Sequence, residues 1–174
     1  MNYNAVIKKT KYLNKTELDS IIKLKQQSWG YDYHSQMTWI SQNICDDDLH
    51  VLFYEQERLI AYCDAVNVDV CIDGKNLSSL GIGNVCVDTQ HRHQCVGKML
   101  LKEVNAYLQE KNRCGFLLCK DDLVGFYRQV NWIKITPQNI VIEDKFFICN
   151  IMFFNVNSLI LDSKIYKIEF SRLF

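Results

Sequence analysis

The sequence predicts a single α/β (α+β) domain, in which an antiparallel meander precedes alternating helices and strands. Three consecutive apolar segments, at residues 50–54, 59–70 and 77–87, have strand length and are joined by short polar turns. After them, helix-like and strand-like segments alternate to about residue 154. With 174 residues the chain is long enough to bury a core without disulfides or metal ions.

The composition argues against several other classes of protein. Lys+Arg and Asp+Glu both number 20, so the formal net charge is zero and the electrostatic footprint of a general nucleic-acid binder is missing. Hydrophobic residues at 48% and charged residues at 23% are typical of a folded domain and not of a disordered chain. Seven glycines and one proline exclude collagen-like and flexible-linker compositions.

The first predicted elements are a short strand and two helices. Residues 5–7 are apolar and strand-like, and an amphipathic helix follows them. We expect Thr16 to cap this helix, with Asp19 as a weak capping-box acid, and Gly30 to end it. A second short helix is expected around residues 37–44, within a segment rich in aromatic and acidic residues.

The meander and the elements after it are predicted from the residues at the turns and from the spacing of apolar residues along the chain. Asp73-Gly74 stands between two apolar segments and predicts a tight hairpin, because both central residues of such a turn must tolerate positive φ. The later elements are, in order, a helix at 96–108, a strand at 115–119, a helix capped by Asp121 or Asp122, and strands at 132–135 and 146–154.

Eight cysteines are an unusual number, and no two of them form a Cys-x-x-Cys pair. Most lie on predicted strands, where a free cysteine behaves as a small hydrophobic residue. The first ten residues lack the pattern of a secretory signal, and no segment approaches the roughly 18 apolar residues of a membrane span. We therefore expect a cytoplasmic protein with free thiols and no metal site.

The segment from Asp88 to Lys98, between the third predicted strand and the long helix, has the features of an anion site. It contains no proline, so its backbone N–H groups remain available. The first N–H groups of a helix lack internal partners, and the helix dipole is positive there. Arg92 and Lys98 add positive charge, and Gly97 lets a ligand approach the backbone closely.

Two motifs in this sequence resemble those of the GCN5-related N-acetyltransferase (GNAT) superfamily. The first is RHQCVG at residues 92–97, which is similar to the acetyl-CoA loop, Arg/Gln-x-x-Gly-x-Gly/Ala, that opens a helix. The second is GFYRQVNW at residues 125–132, which is similar to an aromatic-Tyr helix end followed by Gly-aromatic. The resemblance covers about residues 5–154, and the order of features looks most like the aminoglycoside 2'-N-acetyltransferases.

The resemblance implies a fold, an activity and a set of partners. The fold is one acetyltransferase domain over residues 1–174, with a mixed, mostly antiparallel sheet flanked by helices. Its cofactor-binding core is expected at about 77–135 and its acceptor-side segment at about 29–50. The implied activity is direct transfer of an acetyl group from acetyl-CoA to a primary amine of a small cationic acceptor, of the aminoglycoside, amino-sugar or polyamine type. No nucleic acid, membrane or metal takes part, and a homodimer is left open.

The resemblance also implies roles for individual residues. Tyr127 matches the tyrosine that protonates the departing thiolate, and a phenol of pKa about 10 suits a thiolate of pKa about 8.5. The general base is Asp64, another carboxylate or ordered water. Aromatic and acidic groups suit a cationic amine, which points to Tyr31, Asp32 and Tyr33 as acceptor-binding residues. The implied cofactor contacts are Val85, Cys86, Val87, Arg92, His93, Gln94, Cys95, Val96, Gly97, Lys98, Asp122 and Phe126.

The sequence departs from the family pattern at four places, one of which is Lys120, where many members have an asparagine that faces the cofactor. Cys95 replaces the first glycine of the loop, and Asn131 replaces the glycine after the tyrosine helix. The strand before the loop has Gly83 and Asn84 where a glutamate is usual. Three alternatives therefore stay open: a non-catalytic acyl-CoA-binding or regulatory module, an acyltransferase with a longer acyl donor, and one with an oxygen acceptor. Tyr127 could equally be a core residue.

Overall fold

The structure is a computed structural model that describes residues 3–155 and 164–174. The chain divides into two compact units, Met1–Val66 with Gly83–Val104, and Asn67–Ile82 with Asn105–Phe174. The described helices are α1 (Lys15–Trp29), α2 (Tyr33–Asn43), α3 (Val96–Glu110) and α4 (Asp121–Arg128). The described strands are β1 (Tyr3–Lys9), β2 (Leu49–Glu55), β3 (Arg58–Ile72), β4 (Lys75–Val87), β5 (Cys114–Cys119), β6 (Ile133–Ile135), β7 (Asn139–Ile142), β8 (Lys145–Phe146), β9 (Asn150–Phe154) and β10 (Lys167–Phe170).

The first unit contains an antiparallel set of strands with β2 in the middle. β2 pairs with β1, with Leu52 opposite Val6, and with β3, with Val51 opposite Cys63. Apolar residues of α1 pack on these strands and form a buried cluster with the end of β4. This cluster consists of Ile21, Leu24, Leu52, Leu59, Tyr62 and Cys86.

The start of α1 differs from the prediction, and its end confirms it. Asn14 is the N-cap: its side-chain oxygen accepts from the Glu17 N–H at 2.9 Å, and the Glu17 carboxylate accepts from the Asn14 N–H at 3.0 Å. The expected cap at Thr16 is therefore wrong, because a complete capping box lies two residues upstream. Gly30 ends the helix in the left-handed region, at φ 66°. The predicted second helix is confirmed as α2.

The second unit includes the end of β3 and the start of β4, because residues 67–82 belong to it. The strand order there is β6-β9-β5-β4-β3-β10-β7-β8. β5 is parallel to β4 and antiparallel to β9, while β10 is antiparallel to β3 and parallel to β7. The predicted hairpin turn is present, with Asp73 at φ 45° and Gly74 at φ 82°. Most pairings are antiparallel and a few are parallel, so the predicted α/β class with a mixed, mostly antiparallel sheet is confirmed.

Three local expectations in the second unit are corrected. The N-cap of α4 is Lys120, which makes no side-chain cap bond, and Asp121 and Asp122 lie in the first turn, where a negative charge interacts favourably with the helix dipole. The strand predicted over 146–154 begins only at Asn150 as β9, and Phe146 belongs to the short strand β8. β7 and β10 were not predicted.

Asn131, at φ 66°, has the left-handed conformation that a glycine usually supplies.

Other expectations concern cysteines, metal ions and membranes. The eight cysteines are free thiols. Among the residues that the structure describes, no group of three or more His, Cys, Asp and Glu side chains is placed to hold a metal ion. None of the helices in residues 3–155 and 164–174 combines the length and apolar character that crossing a bilayer requires.

Candidate active site

The segment between β4 and α3 forms an exposed turn that leads into a helix N-terminus. Residues 92–95 are exposed, and α3 begins at Val96 with Gly97 buried in its first turn. Cys95 has φ 64°, an uncommon conformation for a residue other than glycine. Cys95 therefore adopts a left-handed backbone conformation that glycine adopts most readily. The Met99 N–H donates to the Cys95 carbonyl at 3.0 Å, and the N–H groups before it belong to the helix's first turn.

Arg92 fastens this turn to the end of α1. Its Nε donates to the Val87 carbonyl at 3.2 Å, and its Nη2 donates to the Ser28 hydroxyl at 3.2 Å and to the Gln27 carbonyl at 3.4 Å. The Thr89 N–H donates to the Gln27 side chain at 2.9 Å. The guanidinium therefore positions the loop as well as adding charge to it.

A buried carboxylate anchors the start of the same segment. Asp88 accepts from Arg58 at 2.8 Å, and one of its oxygens lies 3.0 Å from the His91 Nδ1 atom. Burial raises the pKa of Asp88, but hydrogen bonds from His91, the Gln90 N–H and Gln27 outweigh it and hold the pKa at about 2. The hydrogen bond to Asp88 raises the pKa of His91 above its ordinary value. These contacts hold the loop by its first residue.

Side chains at the end of β4 alternate between the buried core and the opposite, half-buried face of the strand. Cys86 is buried in the core of the first unit, and burial raises the pKa of its thiol to about 12, so this side chain is a core residue and not a reactive thiol. Val85 and Val87 are half-buried on the other face. Asn84 has φ 51° inside the strand, which departs from regular strand geometry.

Asp64 of β3 is the most unusual carboxylate of the first unit. It is 1% exposed, and its Oδ2 accepts from the Asn84 side-chain amide at 2.5 Å. Its Oδ1 has no hydrogen-bond partner among the described residues. Burial raises the pKa of Asp64 to about 6, although the Asn84 hydrogen bond and the nearby Lys25 charge oppose the shift. Such a carboxylate is ionised at neutral pH and has a pKa close to that of an efficient general base.

A row of buried polar groups continues from Asp64. His50 lies opposite Asp64 in the β2–β3 register. The His50 Nδ1 is 2.7 Å from the Tyr62 hydroxyl, and its Nε2 is 3.0 Å from the Thr10 hydroxyl. Burial lowers the pKa of His50 to about 4, so the ring is neutral at pH 7. The sequence analysis missed this row. The sequence feature that could have predicted it is the presence of two polar residues, Tyr62 and Asp64, on one otherwise apolar face of β3.

A cavity of about 340 Å³ lies in the first unit. Lys25, which is only 2% exposed, lines it, and the Lys25 ammonium lies 4.6 Å from the centre of the Trp39 ring. Burial lowers the pKa of Lys25, while the charge of Asp64 raises it. The sequence analysis missed Lys25, whose signal was a lysine within the apolar stripe of α1. The lining residues are Lys25, Trp29, Tyr31, Ser35, Gln36, Trp39 and Asn84.

Of the three residues predicted to bind the acceptor, Tyr31 lines this cavity and the other two have structural contacts. Asp32 is the N-cap of α2, and its carboxylate accepts from the Ser35 N–H at 2.7 Å. The Tyr33 hydroxyl donates to the Asp19 carboxylate at 2.7 Å. The predicted acceptor set is therefore not brought together as a group.

The second unit contains the other three predicted site residues. Tyr127 is 6% exposed, and its ring packs edge-on against Phe126 with 5.1 Å between ring centres. The N–H groups of Val130 and Trp132 donate to the Tyr127 carbonyl at 3.1 and 3.2 Å, which fixes the end of α4. Asp122 is exposed in the first turn of that helix.

The geometry can be compared with known proteins. A family model described as an acetyltransferase (GNAT) domain matches residues 9–135. Two solved structures are similar over nearly their whole length. The GNAT family N-acetyltransferase YhbS from Escherichia coli, in complex with CoA, has a TM-score of 0.66 at 16% identity, covering 98% of this chain and 91% of that one. Escherichia coli ElaA has a TM-score of 0.63 at 17% identity, covering 88% of this chain and 99% of that one.

Some similar structures are much longer than this chain. A GCN5-related N-acetyltransferase from Kribbella flavida has a TM-score of 0.63 at 17% identity, over 76% of this chain. The chain spans about a third of that protein, 34% of its length, and 33% of a probable N-acyltransferase from Enterococcus faecalis. At these identities the similarity shows the fold.

Proposed function

This chain belongs to the acetyltransferase (GNAT) domain family, and we propose from that premise that it transfers an acetyl group from acetyl-CoA directly to a primary amine. The observation that carries the proposal is the loop before α3. Its exposed residues 92–95, the left-handed Cys95 and the buried Gly97 lead into a helix N-terminus whose N–H groups suit a pyrophosphate. The residues present therefore fit the cofactor.

The cofactor contacts in this proposal follow the family motif. Backbone N–H groups of residues 93–98 bind the pyrophosphate, and Arg92 holds their loop in place through Val87 and α1. Val85 and Val87, half-buried at the end of β4, present backbone groups to the pantetheine arm. Asp122 and Phe126 are further proposed contacts. Acetyl-CoA, when bound, supplies the activated acetyl group.

Asp64 is the proposed general base. The amine must lose a proton as its nitrogen bonds to the acetyl carbon, and a carboxylate with a pKa of about 6 can accept it. The Oδ1 of Asp64 has no hydrogen-bond donor among the described residues, so this atom can hold the proton. Because Asp64 is 1% exposed and does not line the cavity, the proton would reach it by relay from the amine. The Asn84 amide holds the other oxygen and so fixes the carboxylate's orientation.

Tyr127 is the proposed general acid. When the carbon–sulfur bond breaks, the sulfur takes a proton, and the family motif assigns that proton to this hydroxyl. The packing of Tyr127 on Phe126 and the hydrogen bonds to its carbonyl support a fixed ring position.

The acceptor is a further part of the proposal. The acid-rich segment after α1 favours a small cationic amine, of the aminoglycoside, amino-sugar or polyamine type. The lining of the cavity, which includes Lys25 and no carboxylate, favours an amine that also carries an anionic group.

The test is an acetyl-transfer assay with purified protein, acetyl-CoA and a panel of primary amines, read by mass spectrometry. We expect an N-acetylated product that increases with time and protein concentration. Binding of acetyl-CoA without any product would instead favour the non-catalytic CoA-binding alternative. A product formed only with a longer acyl-CoA would identify the alternative acyl donor.

A further inference from the structure

The cavity of the first unit combines aromatic walls with one buried cation. Its volume of about 340 Å³ is close to the lower end of the range for small-molecule sites, roughly 300–1,000 Å³. Trp29, Tyr31 and Trp39 supply its rings, while amide and hydroxyl groups supply most of its other polar atoms. This lining suits a small, flat, largely apolar ligand.

Lys25 is the cation of the cavity lining. It is 2% exposed, and among the described residues no side-chain hydrogen bond or close ion pair holds its ammonium, which is attracted at longer range by Asp64. Its close contact is the face of the Trp39 ring at 4.6 Å. A buried charge is costly unless it is paired and hydrogen-bonded, and a cation–π contact offsets only part of that cost. A ligand that brings an anionic oxygen to Lys25 would therefore gain a strong, charge-assisted hydrogen bond.

The carboxylates of the neighbouring segment do not line the cavity. Asp32 caps α2, and Asp47 pairs with Lys9 and Lys11 at 2.9 and 2.8 Å. The carboxylate connected to the cavity is Asp64, through its hydrogen bond from Asn84. An acceptor with several positive charges would meet the Lys25 ammonium and find little to compensate it.

We infer that this cavity binds an aromatic α-amino acid, with its carboxylate on the Lys25 ammonium, its ring among Trp29, Tyr31 and Trp39, and its amine directed to Asn84. The negative and positive groups of such a ligand match the positive Lys25 and the negative Asp64. This inference rests on the proposed function, because it takes the cavity as the acceptor site. The products of the reaction would be an N-acetyl amino acid and CoA.

The first test compares four ligands with the unmodified protein by calorimetry and tryptophan fluorescence, with and without saturating CoA. L-Phenylalanine carries ring, amine and carboxylate, phenethylamine lacks the carboxylate, 3-phenylpropionate lacks the amine, and spermidine has neither ring nor carboxylate. We expect L-phenylalanine to bind about ten-fold or more tightly than each of the others. Equal or tighter binding of phenethylamine or spermidine would overturn the inference, as would no binding of L-phenylalanine.

The second test removes the cation. Lys25→Met keeps most of the length of the side chain and its apolar packing, and we expect it to weaken L-phenylalanine binding about 10- to 100-fold without weakening phenethylamine binding. Lys23→Met, at an exposed position of the same helix, is the matched control and should leave both affinities unchanged. An unchanged preference for L-phenylalanine in Lys25→Met would overturn the inference. Should Lys25→Met not fold, the ligand comparison decides alone.

The acetyl-transfer assay separates this inference from the proposed function. If L-phenylalanine binds with the expected pattern but no amine is acetylated, the ligand assignment stands and the proposed function fails. If spermidine is acetylated while L-phenylalanine neither binds nor reacts, the proposed function stands and the inference fails.

Discussion

The side-chain amide of Asn84 donates a hydrogen bond to the buried carboxylate of Asp64, with 2.5 Å between Nδ2 and Oδ2. Asn84 reaches this position from a left-handed backbone conformation inside β4, and it also lines the cavity of the first unit. The contact joins the proposed general base, which is 1% exposed, to a residue that lines the cavity. Asn84 stands near the place where the resemblance led us to expect a glutamate, and the proposed base on β3 would take the role of that carboxylate.

Replacing Asp64 by Asn tests the proposed base. Asn keeps the size of the side chain but cannot accept the proton, so we expect kcat/KM for acetyl transfer to fall by about 100-fold. The pH profile should lose the limb near pH 6 that the unmodified protein shows. Asp69→Asn, on an exposed position of the same strand, is the control. A full rate with an unchanged pH profile in Asp64→Asn would show that another group accepts the proton.

Asp64→Asn should also change how the free energy of unfolding depends on pH. The pKa of Asp64 is raised by burial from 3.8 to about 6, so between these values the folded protein binds a proton that the unfolded chain has lost. Asp64 should therefore lower the free energy of unfolding by about 3 kcal/mol as pH rises from about 4 to about 6. His50, whose pKa burial lowers from 6.5 to about 4, contributes in the opposite direction over this range and is present in both proteins. Asp64→Asn should remove that decrease in urea titrations. Identical pH dependence in the two proteins would contradict the shift.

Asp47 and Asp88 do not affect the difference in pH dependence between the unmodified protein and Asp64→Asn. The pKa of each lies at about 2, so their contribution to stability is lost only as pH falls from about 4 toward 2. Both are present in the unmodified protein and in the variant, and the difference between the two curves removes their effect.

Replacing Tyr127 by Phe tests the proposed acid. We expect kcat to fall by about 100-fold while the affinity for acetyl-CoA, measured by calorimetry, stays within two-fold, a narrow margin of roughly 0.4 kcal/mol. Tyr166→Phe, at an exposed tyrosine of the same unit, is the control. If Tyr127→Phe keeps the full rate, the tyrosine is a core residue, which the sequence alone also allowed.

Two glycines of the second unit predict opposite effects on stability. A Cβ at Gly115 would lie 2.6 Å from a Leu108 methyl carbon and 2.9 Å from the Trp132 ring, so Gly115→Ala should destabilise the fold by about 1–3 kcal/mol. A Cβ at Gly125 meets no atom within 4 Å, and this residue lies in α4. Gly125→Ala should therefore stabilise by about 0.5–1 kcal/mol. Chemical denaturation measures both, and equal effects would contradict the packing.

The fold was predictable where the signal was local. Asp73-Gly74, Gly30 and Asn131 each have the conformation that their residue type suggested. The strands β7 and β10 were missed because they are four residues each and are held by partners far away in sequence. The site was predictable at the loop before α3, because its functional residues are adjacent in the sequence. Lys25 and Asn84 were missed because their burial and contacts depend on which elements pack together. The homodimer and the cytoplasmic location stay predictions.

The N-terminus of α3 is the proposed binding site for the pyrophosphate of acetyl-CoA, and a substitution at Cys95 tests this contact. Cys95→Asp places a negative charge at an exposed position just before Val96, where an acidic residue favours the helix but repels an anionic ligand. Ala106→Glu adds the same charge at an exposed position later in that helix and serves as the control.

Calorimetric titration with acetyl-CoA is the measurement. The account predicts that Cys95→Asp weakens binding by ten-fold or more, about 1.4 kcal/mol, while its folding stability is kept and Ala106→Glu binds as the unmodified protein does. Unchanged acetyl-CoA affinity in Cys95→Asp would contradict the account, because the charge would then lie away from the bound pyrophosphate.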